Sequence, residues 1–480
     1  MALSDKISQI QGVPAYRRNR IIAAVAASIF GFLLLFGFVM NWWSGRPIPG
    51  EERTRADLVI WDFLDNREVY REIIANYERN NSGIRVEYVN KRTERTGEKP
   101  EETYHNTLIN AFANDEGPDI YLINNNWLPI EQRRLLPANE VFSAEEFNPA
   151  VFLSKFPDVV RHDFAREERG GDELVYAVPM FIDTLALYYN VDNFNTENLV
   201  SPPQTFESFV DYTRRLRRTD DNGNIIISGA ALGAADTHDV ITGGDNVNNA
   251  VDILSFFMLQ AGARMNDEFG LATFNRVIEE GNEVYRPGAD GFDFYTSFAR
   301  PDSENYAWNP EGSFSLDAFA NGTAAMMFNY SYQQDIVRDK NPGLNFKVAP
   351  MPQLQDRINR ANHVNYADYW GWAVSRRSEN QRIAWEFLMY LSEEETVDLY
   401  AQNSKRPPSL KSLVDKYRDD EDLGVFVGQI LTARSWLMPN PFETERILDT
   451  AIKEILDGRG IESAASDAQN RINGLRSIDF

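Results

Sequence analysis

Between positions 58 and 122 the apolar residues change period twice. Leu58-Val59-Ile60-Trp61 is a short apolar run fit for a buried strand, and Val69, Ile73, Ile74 and Tyr77 then recur at helical spacing. Ile84-Arg85-Val86-Glu87-Tyr88-Val89 returns to alternation, and Pro118-Asp119-Ile120-Tyr121-Leu122 supplies a further strand. Strand, helix, strand within about thirty residues is a βαβ unit, which predicts a mostly parallel sheet with covering helices. Farther on, Phe206, Phe209, Val210, Thr213 and Leu216 mark an amphipathic helix, with Thr205 placed to cap it and Glu207 complementing its dipole. Ala384, Phe387, Leu388 and Leu391 form another helical face, and Ser392-Glu393-Glu394-Glu395 fits a capping box opening the next helix. Helices and strands thus alternate almost throughout, and no repeat of 20 to 50 residues signals a solenoid or propeller.

One segment breaks this pattern. From Ile21 to Met40 the chain carries no charge, and at about 1.5 Å per helical residue it spans the roughly 30 Å hydrocarbon core of a bilayer. Lys6, Arg17, Arg18 and Arg20 precede it, and Trp42 and Trp43 follow at interfacial depth, so the N-terminus is expected in the cytoplasm and the remainder outside. A cleavable signal peptide is the competing reading; its apolar core is usually shorter and ends in small residues, which NWWSGRP lacks. The expected order is a cytoplasmic segment 1–20, a membrane anchor 21–43 and an extended Gly-, Pro- and charge-rich stalk 44–56.

The 480 residues, 43% hydrophobic, can furnish the cores of two or three domains. Lys plus Arg number 48 against 72 Asp plus Glu, and the net charge of −24 argues against nucleic acid and anionic lipid as partners. With 0 Cys there is no thiolate metal site, no cysteine nucleophile and no lipid-modified N-terminal cysteine. The 4 histidines, His105, His162, His238 and His363, lack metal-ligand spacing, and no metalloprotease, phosphate-loop or nucleophile-elbow motif occurs. Asp220-Asp221-Asn222-Gly223 lacks the alternating acids of a calcium loop and reads as a hairpin turn. No cofactor, metal or catalytic group is expected.

Several segments, in this order, resemble the family 1 extracellular solute-binding proteins, the group of the maltose-binding proteins. LVIWDFLD with its helix and IRVEYV looks like the family's opening βαβ unit, and AFANDEGPDIYLI like its next helix and strand. LVYAVPMFIDTLALYYNVDNF resembles the strand that crosses between lobes, and PPQTFESFVDYTRRL follows it where the family has a helix. SGAALG, FANGTAAMMFNYSY, FKVAPMPQL, YWGWAVSRRSENQRIAWEFLMYLS and MPNPFETERILDTAIKEILDGRGIESAASDAQNRI are each similar to a family block at its usual station. The resemblance implies an α/β clamp of two lobes, residues 57–183 with 367–411 and residues 184–366 with 412–480. It also implies a monomeric receptor that delivers an oligosaccharide or related solute to ABC permease subunits. The missing lipid-modified cysteine and the different loop motifs leave anchoring and ligand open.

Ligands of open α/β sheets sit beyond the carboxyl ends of strands, and sugars need aromatic faces for stacking together with carboxylates or amides for their hydroxyls. Asp65 and Asn66 follow the first strand, although a turn or helix N-cap would use the same residues. Asn126 and Trp127 follow the strand after Pro118, with core packing the alternative for Trp127. The resemblance places Asp183 at an acidic contact on the crossing strand and Tyr332, with Tyr330 beside it, at a stacking aromatic. Tyr366, Asp368, Tyr369 and Trp370 cluster at the expected second crossing, where hinge packing is the rival use. Arg406 and Trp436 are the last candidates, against an ion pair and a core position respectively. A glycoside hydrolase or a tethered sensor would share this inventory, and paired acids among 72 carboxylates do not discriminate between them.

Overall fold

The computed structural model describes residues 56–480 except 93–98, 168–170, 172, 237–245, 281–282, 356–362 and 476–480. The anchor expected at 21–43, the segment before it and nearly all of the stalk lie outside the described residues, and no described helix is long and apolar enough to cross a membrane.

The chain opens with β1 (Ala56–Asp62), α1 (Arg67–Asn80), β2 (Ile84–Asn90), α2 (Pro100–Ala113) and β3 (Ile120–Asn124). α1 buries Tyr70, Ile73, Ile74 and Tyr77, a stripe at three- and four-residue spacing, and β1 pairs in parallel with β2 from Ala56↔Ile84 to Asp62↔Asn90. After α3 (Asp158–Phe164) come β4 (Ala177–Pro179), β5 (Asp183–Thr184), β6 (Ala186–Asn190), α4 (Phe206–Leu216) and α5 (Ala250–Gln260). Then follow β7 (Met326–Asn329), α6 (Gln333–Lys340), β8 (Phe346–Ala349), β9 (Asn365–Asp368), β10 (Trp370–Val374), α7 (Gln381–Leu391), α8 (Glu394–Ser404), β11 (Ala433–Arg434) and α9 (Pro441–Leu456).

Three sheets organise these elements. One has the order β2-β1-β3-β10-β4, with β10 antiparallel to both neighbours; a second is β7-β6-β8; the third is the small β11-β9-β5. Two separate apolar cores surround the first two. One gathers Leu58, Tyr104, Ile120, Trp372 and Trp385, the other Tyr188, Phe209, Phe257, Phe328 and Leu448. The fold is thus two-lobed α/β, and the third sheet carries the chain between cores.

Two local expectations change. Ser392 does not open a capping box: it ends α7, and its hydroxyl donates back to the Met389 carbonyl at 2.7 Å, while α8 starts after Glu393. The stretch after 411/412 does not lie wholly with one core: Leu413, Val414, Tyr417, Leu423, Val427 and Ile430 pack into the first, while Phe426 packs into the second. Other features follow the sequence pattern. Thr205 and Ser208 cap α4 reciprocally, and the turn at Asp220–Gly223 closes by Gly223 N–H donating to the Asp220 carbonyl at 3.0 Å, with Gly223 at φ 85°.

Where the crossings meet, Asp163 of α3 is fully buried and accepts from Asn125 Nδ2 (3.0 Å), Tyr369 Oη (2.7 Å) and Ser435 Oγ (2.5 Å). His162 Nδ1 lies 2.7 Å from its other face. One carboxylate therefore ties the end of β3, the β9–β10 junction and the segment after β11. Removing a buried acceptor strands its donors, so Asp163→Ala is expected to cost roughly 3–5 kcal/mol in urea unfolding, and Asp163→Asn less. An Asp163→Ala chain within about 1 kcal/mol of the parent would show that the junction does not depend on this group.

Candidate functional site

The carboxyl ends of β1 and β3, the β5–β9 pair and the turn after β7 converge on the seam between the two cores. β5 and β9 pair antiparallel with Asp183 opposite Asp368, so the crossing backbone sets two carboxylates side by side. Asp183, 2% exposed, accepts from the Ser331 amide (3.0 Å), the Ser331 hydroxyl (2.6 Å) and the Thr184 amide (2.9 Å). Burial still pushes its carboxyl up to about 6, with those hydrogen bonds and Arg406 opposing. Asp368 accepts from Asn124 Nδ2 at 2.6 Å, and burial, then Asp252, raises it well above the usual carboxylate range. Asp252 in the first turn of α5 accepts from Tyr330 Oη at 2.7 Å and is pushed up to about 7, first by burial.

Next to these acids stands an aromatic and cationic wall. Tyr332 is 39% exposed, and its ring lies parallel to that of Tyr330, with centroids 6.3 Å apart and planes 10° apart. The Arg406 guanidinium sits 5.8 Å from the Tyr332 centroid and 4.8 Å from that of Phe181. Arg406 is fixed from behind: its Nε lies 3.3 Å from Asp65 Oδ1, and Asp65 Oδ2 accepts from Tyr400 Oη at 2.7 Å. The pair is 13% and 9% exposed, so neither charge is left alone in the interior. Asp62, just behind, is pushed up to about 7 by burial and by Asp65.

The sequence candidates divide accordingly. Asp65, Asp183, Tyr330, Tyr332, Asp368 and Arg406 form one connected group through these contacts. Asn66 is exposed and committed to the N-cap of α1, its Oδ1 accepting from the Glu68 amide at 2.9 Å. Trp127 and Trp370 belong to the first core, their rings 4.8 Å apart at 71°, and Tyr369 is buried on Asp163. Tyr366 and Trp436 belong to the second core, the latter with its indole 6.1 Å from Phe274 and its Nε1 without a hydrogen-bond partner. Asn126 is part-buried, its Nδ2 3.9 Å from Met438 Sδ and its buried Oδ1 unpaired. Asn124, Ser331 and Asp252 complete the group without having been singled out. Asn124 opens the Asn-Asn-Asn run and Ser331 lies between the two tyrosines, whereas nothing in the pattern distinguishes Asp252 from a dipole-complementing acid.

An exposed aromatic face bordered by carboxylates, an amide and a guanidinium offers stacking and directional hydrogen bonds to a polyhydroxylated molecule. Comparison with known proteins agrees with the architecture. The chain is 21% identical over 436 residues to the galactooligosaccharide-binding protein of Bacillus subtilis (strain 168), covering 88% of this chain and 91% of that one. Among solved structures, the cyclic alpha-maltosyl-1,6-maltose binding protein of Arthrobacter globiformis matches with TM-score 0.66 and 17% identity, over 88% of this chain and 100% of the other. The GacH receptor of Streptomyces glaucescens, solved unliganded and with acarbose, matches with TM-score 0.63 and 18% identity, over 88% and 99%. The profile of one family spans residues 63–398, from just behind β1 to within α8. The chain belongs to the bacterial extracellular solute-binding proteins.

Proposed function

We propose that this protein is the extracytoplasmic receptor of an ABC importer for an oligosaccharide, bound in the seam between its lobes. The observation that carries this reading is Tyr332, an exposed ring within a ring of Asp183, Asp368 and Arg406, in a family of solute receptors. The Bacillus subtilis relative is named for galactooligosaccharide binding, and the Arthrobacter globiformis neighbour for a cyclic maltosyl-maltose. In this reading Tyr332 stacks on a pyranose face, and Asp183, Asp368, Asn124 and Asn126 bond its hydroxyls. Asp65 and Tyr330 act behind them, holding Arg406 and Tyr332 in place. The uncharged run at Ile21–Met40 tethers the receptor as a single-pass anchor with a cytoplasmic N-terminus, and the folded part works as a monomer.

Bound ligand raises apparent stability, so a thermal-shift screen against galacto- and maltooligosaccharides should identify a stabilising glycan. Tyr332→Ala should then weaken that glycan roughly 10- to 100-fold in calorimetry with little change in the melting temperature of the empty protein. A panel with no stabilising glycan, together with a short-peptide or polyol hit, would overturn the carbohydrate assignment. Extraction of membranes with alkaline carbonate should leave the full chain in the pellet; release into the supernatant would exclude the single-pass anchor.

The raised carboxylates fix a pH dependence. Asp183 and Asp252 rise from 3.8 to about 6 and about 7, so the folded state holds protons that the unfolded chain releases. Stability therefore falls as pH rises from about 4 through about 7. Asp252→Asn keeps an acceptor for Tyr330 and removes the charge. Its unfolding free energy should match the parent near pH 4 and exceed it by on the order of 4 kcal/mol at pH 8. Equal pH slopes for the two chains in urea unfolding would show that Asp252 is not the titrating group.

A further inference from the structure

Away from the aromatic wall, α2 of the first lobe and α9 of the second meet through two ion pairs and one ring contact, His105 against Phe442 at 5.2 Å. α2 is anchored by Tyr104, Leu108 and Phe112 in the first core, and α9 by Ile447, Leu448 and Ile452 in the second. Lys99, the residue before α2, places Nζ 2.9 Å from Glu445 Oε2, and Arg446 Nη2 lies 2.7 and 2.6 Å from the two carboxylate oxygens of Glu102. The order along the chain is cation then anion on one lobe, Lys99 and Glu102, and anion then cation on the other, Glu445 and Arg446. Only one register satisfies both pairs. Arg446 Nη1 is also held by Glu443 of its own helix at 2.5 Å, which orients the guanidinium toward α2.

We propose that the Lys99–Glu445 and Glu102–Arg446 pairs form an electrostatic clasp that favours the shut form of the two-lobed clamp before ligand arrives. The inference rests on the receptor reading given above. Lys99 faces a cup of acids on the second lobe, Glu445 with Asp236 and Asp449, whose attraction outweighs the cost of its burial and raises its ammonium above the ordinary lysine range. The four side chains are between 27% and 51% exposed, so water re-solvates them readily when the lobes part. Each exposed pair of this kind shifts an equilibrium by no more than about fivefold, and salt weakens it further. Pairs of this strength bias closure and leave the decision to the ligand. One turn earlier on α9, Phe442 packs its ring 5.5 Å from Trp127 and 5.2 Å from His105, so the clasp lies beside a contact that already joins the lobes.

The chain contains 0 Cys, which allows two labels to be placed without background. Spin labels at Glu72→Cys and Asp302→Cys, both exposed and one on each lobe, report the interlobe distance in the full chain in detergent. In the ligand-free protein, raising NaCl from about 0.05 to 0.5 M should lengthen the mean distance. Glu445→Gln combined with Arg446→Gln should lower the closed-to-open ratio about tenfold and abolish that salt response. Glu445→Asp combined with Arg446→Lys, which keeps all four charges, should leave both near the parent values. Distances unchanged by salt and by all variants, in a chain that still contracts with a galactooligosaccharide mixture, overturn the clasp and leave the clamp standing. Distances unchanged by galacto- and maltooligosaccharides alike overturn both.

Discussion

The structure depends on carrying a polar backbone between two apolar cores without leaving its hydrogen bonds unmade. The β11-β9-β5 sheet solves this with a minimum of pairs, Asn365↔Ala433 and Tyr366↔Arg434 on one side and Ala367↔Thr184 and Asp368↔Asp183 on the other. Where the ladder ends, side chains take over. Gln429 donates to the Leu185 carbonyl at 2.9 Å and to Thr184 Oγ1 at 3.0 Å, and its Oε1 accepts from the Met351 amide at 3.0 Å. Asp163 does the same on the other flank. An unpaired buried backbone or amide group costs about 1–3 kcal/mol, so each of these side chains is held to one geometry. The crossing is consequently a hydrogen-bonded joint, not an apolar one, and it fixes where the carboxylates of the seam can point.

That constraint also explains how much of the site was legible. Periodicity finds β1, α1, β2 and α4 because each buries one face only, and the strand ends it predicts are where Asp65 and Asn124 lie. It fails at the joint. Trp370 stands on a central strand whose five residues are all buried, so an aromatic residue at a crossing becomes core and not wall. Tyr366 and Tyr369 lie three residues apart across the joint and enter different cores, Tyr366 the second and Tyr369 the first. No local pattern encodes that choice, because it is made by which core each face of the strand meets. The stretch 413–433 poses a related problem: its apolar residues are as suitable for one core as for the other, and tertiary packing sends Leu413, Val414 and Val427 to the first and Phe426 to the second. Asp252 depends on a contact with Tyr330, 78 residues away, and no spacing rule reaches that far.

The chemistry of the seam sets two opposing tendencies against each other. Bringing the lobes together strips water from Asp183, Asp252 and Asp368, and burial is the largest reason each is a weaker acid than in solution. An empty shut clamp therefore carries desolvated carboxylates whose remaining lone pairs have only a few protein donors: Ser331 and Thr184 for the first, Tyr330 for the second and Asn124 for the third. In the receptor proposed above, a ligand rich in hydroxyls supplies the missing donors at the moment water leaves, so the penalty that disfavours the empty form becomes part of the discrimination in favour of the filled one. Arg406 does not cancel it, because its charge is already matched by Asp65 at the back of the wall. The ion pairs between α2 and α9 act in the other direction, and their modest strength matters for the same reason. In the proposed clamp, a ligand shifts the equilibrium between open and shut forms only by its difference in affinity for the two, so weak ion pairs leave that choice to a few new hydrogen bonds and one stacked ring.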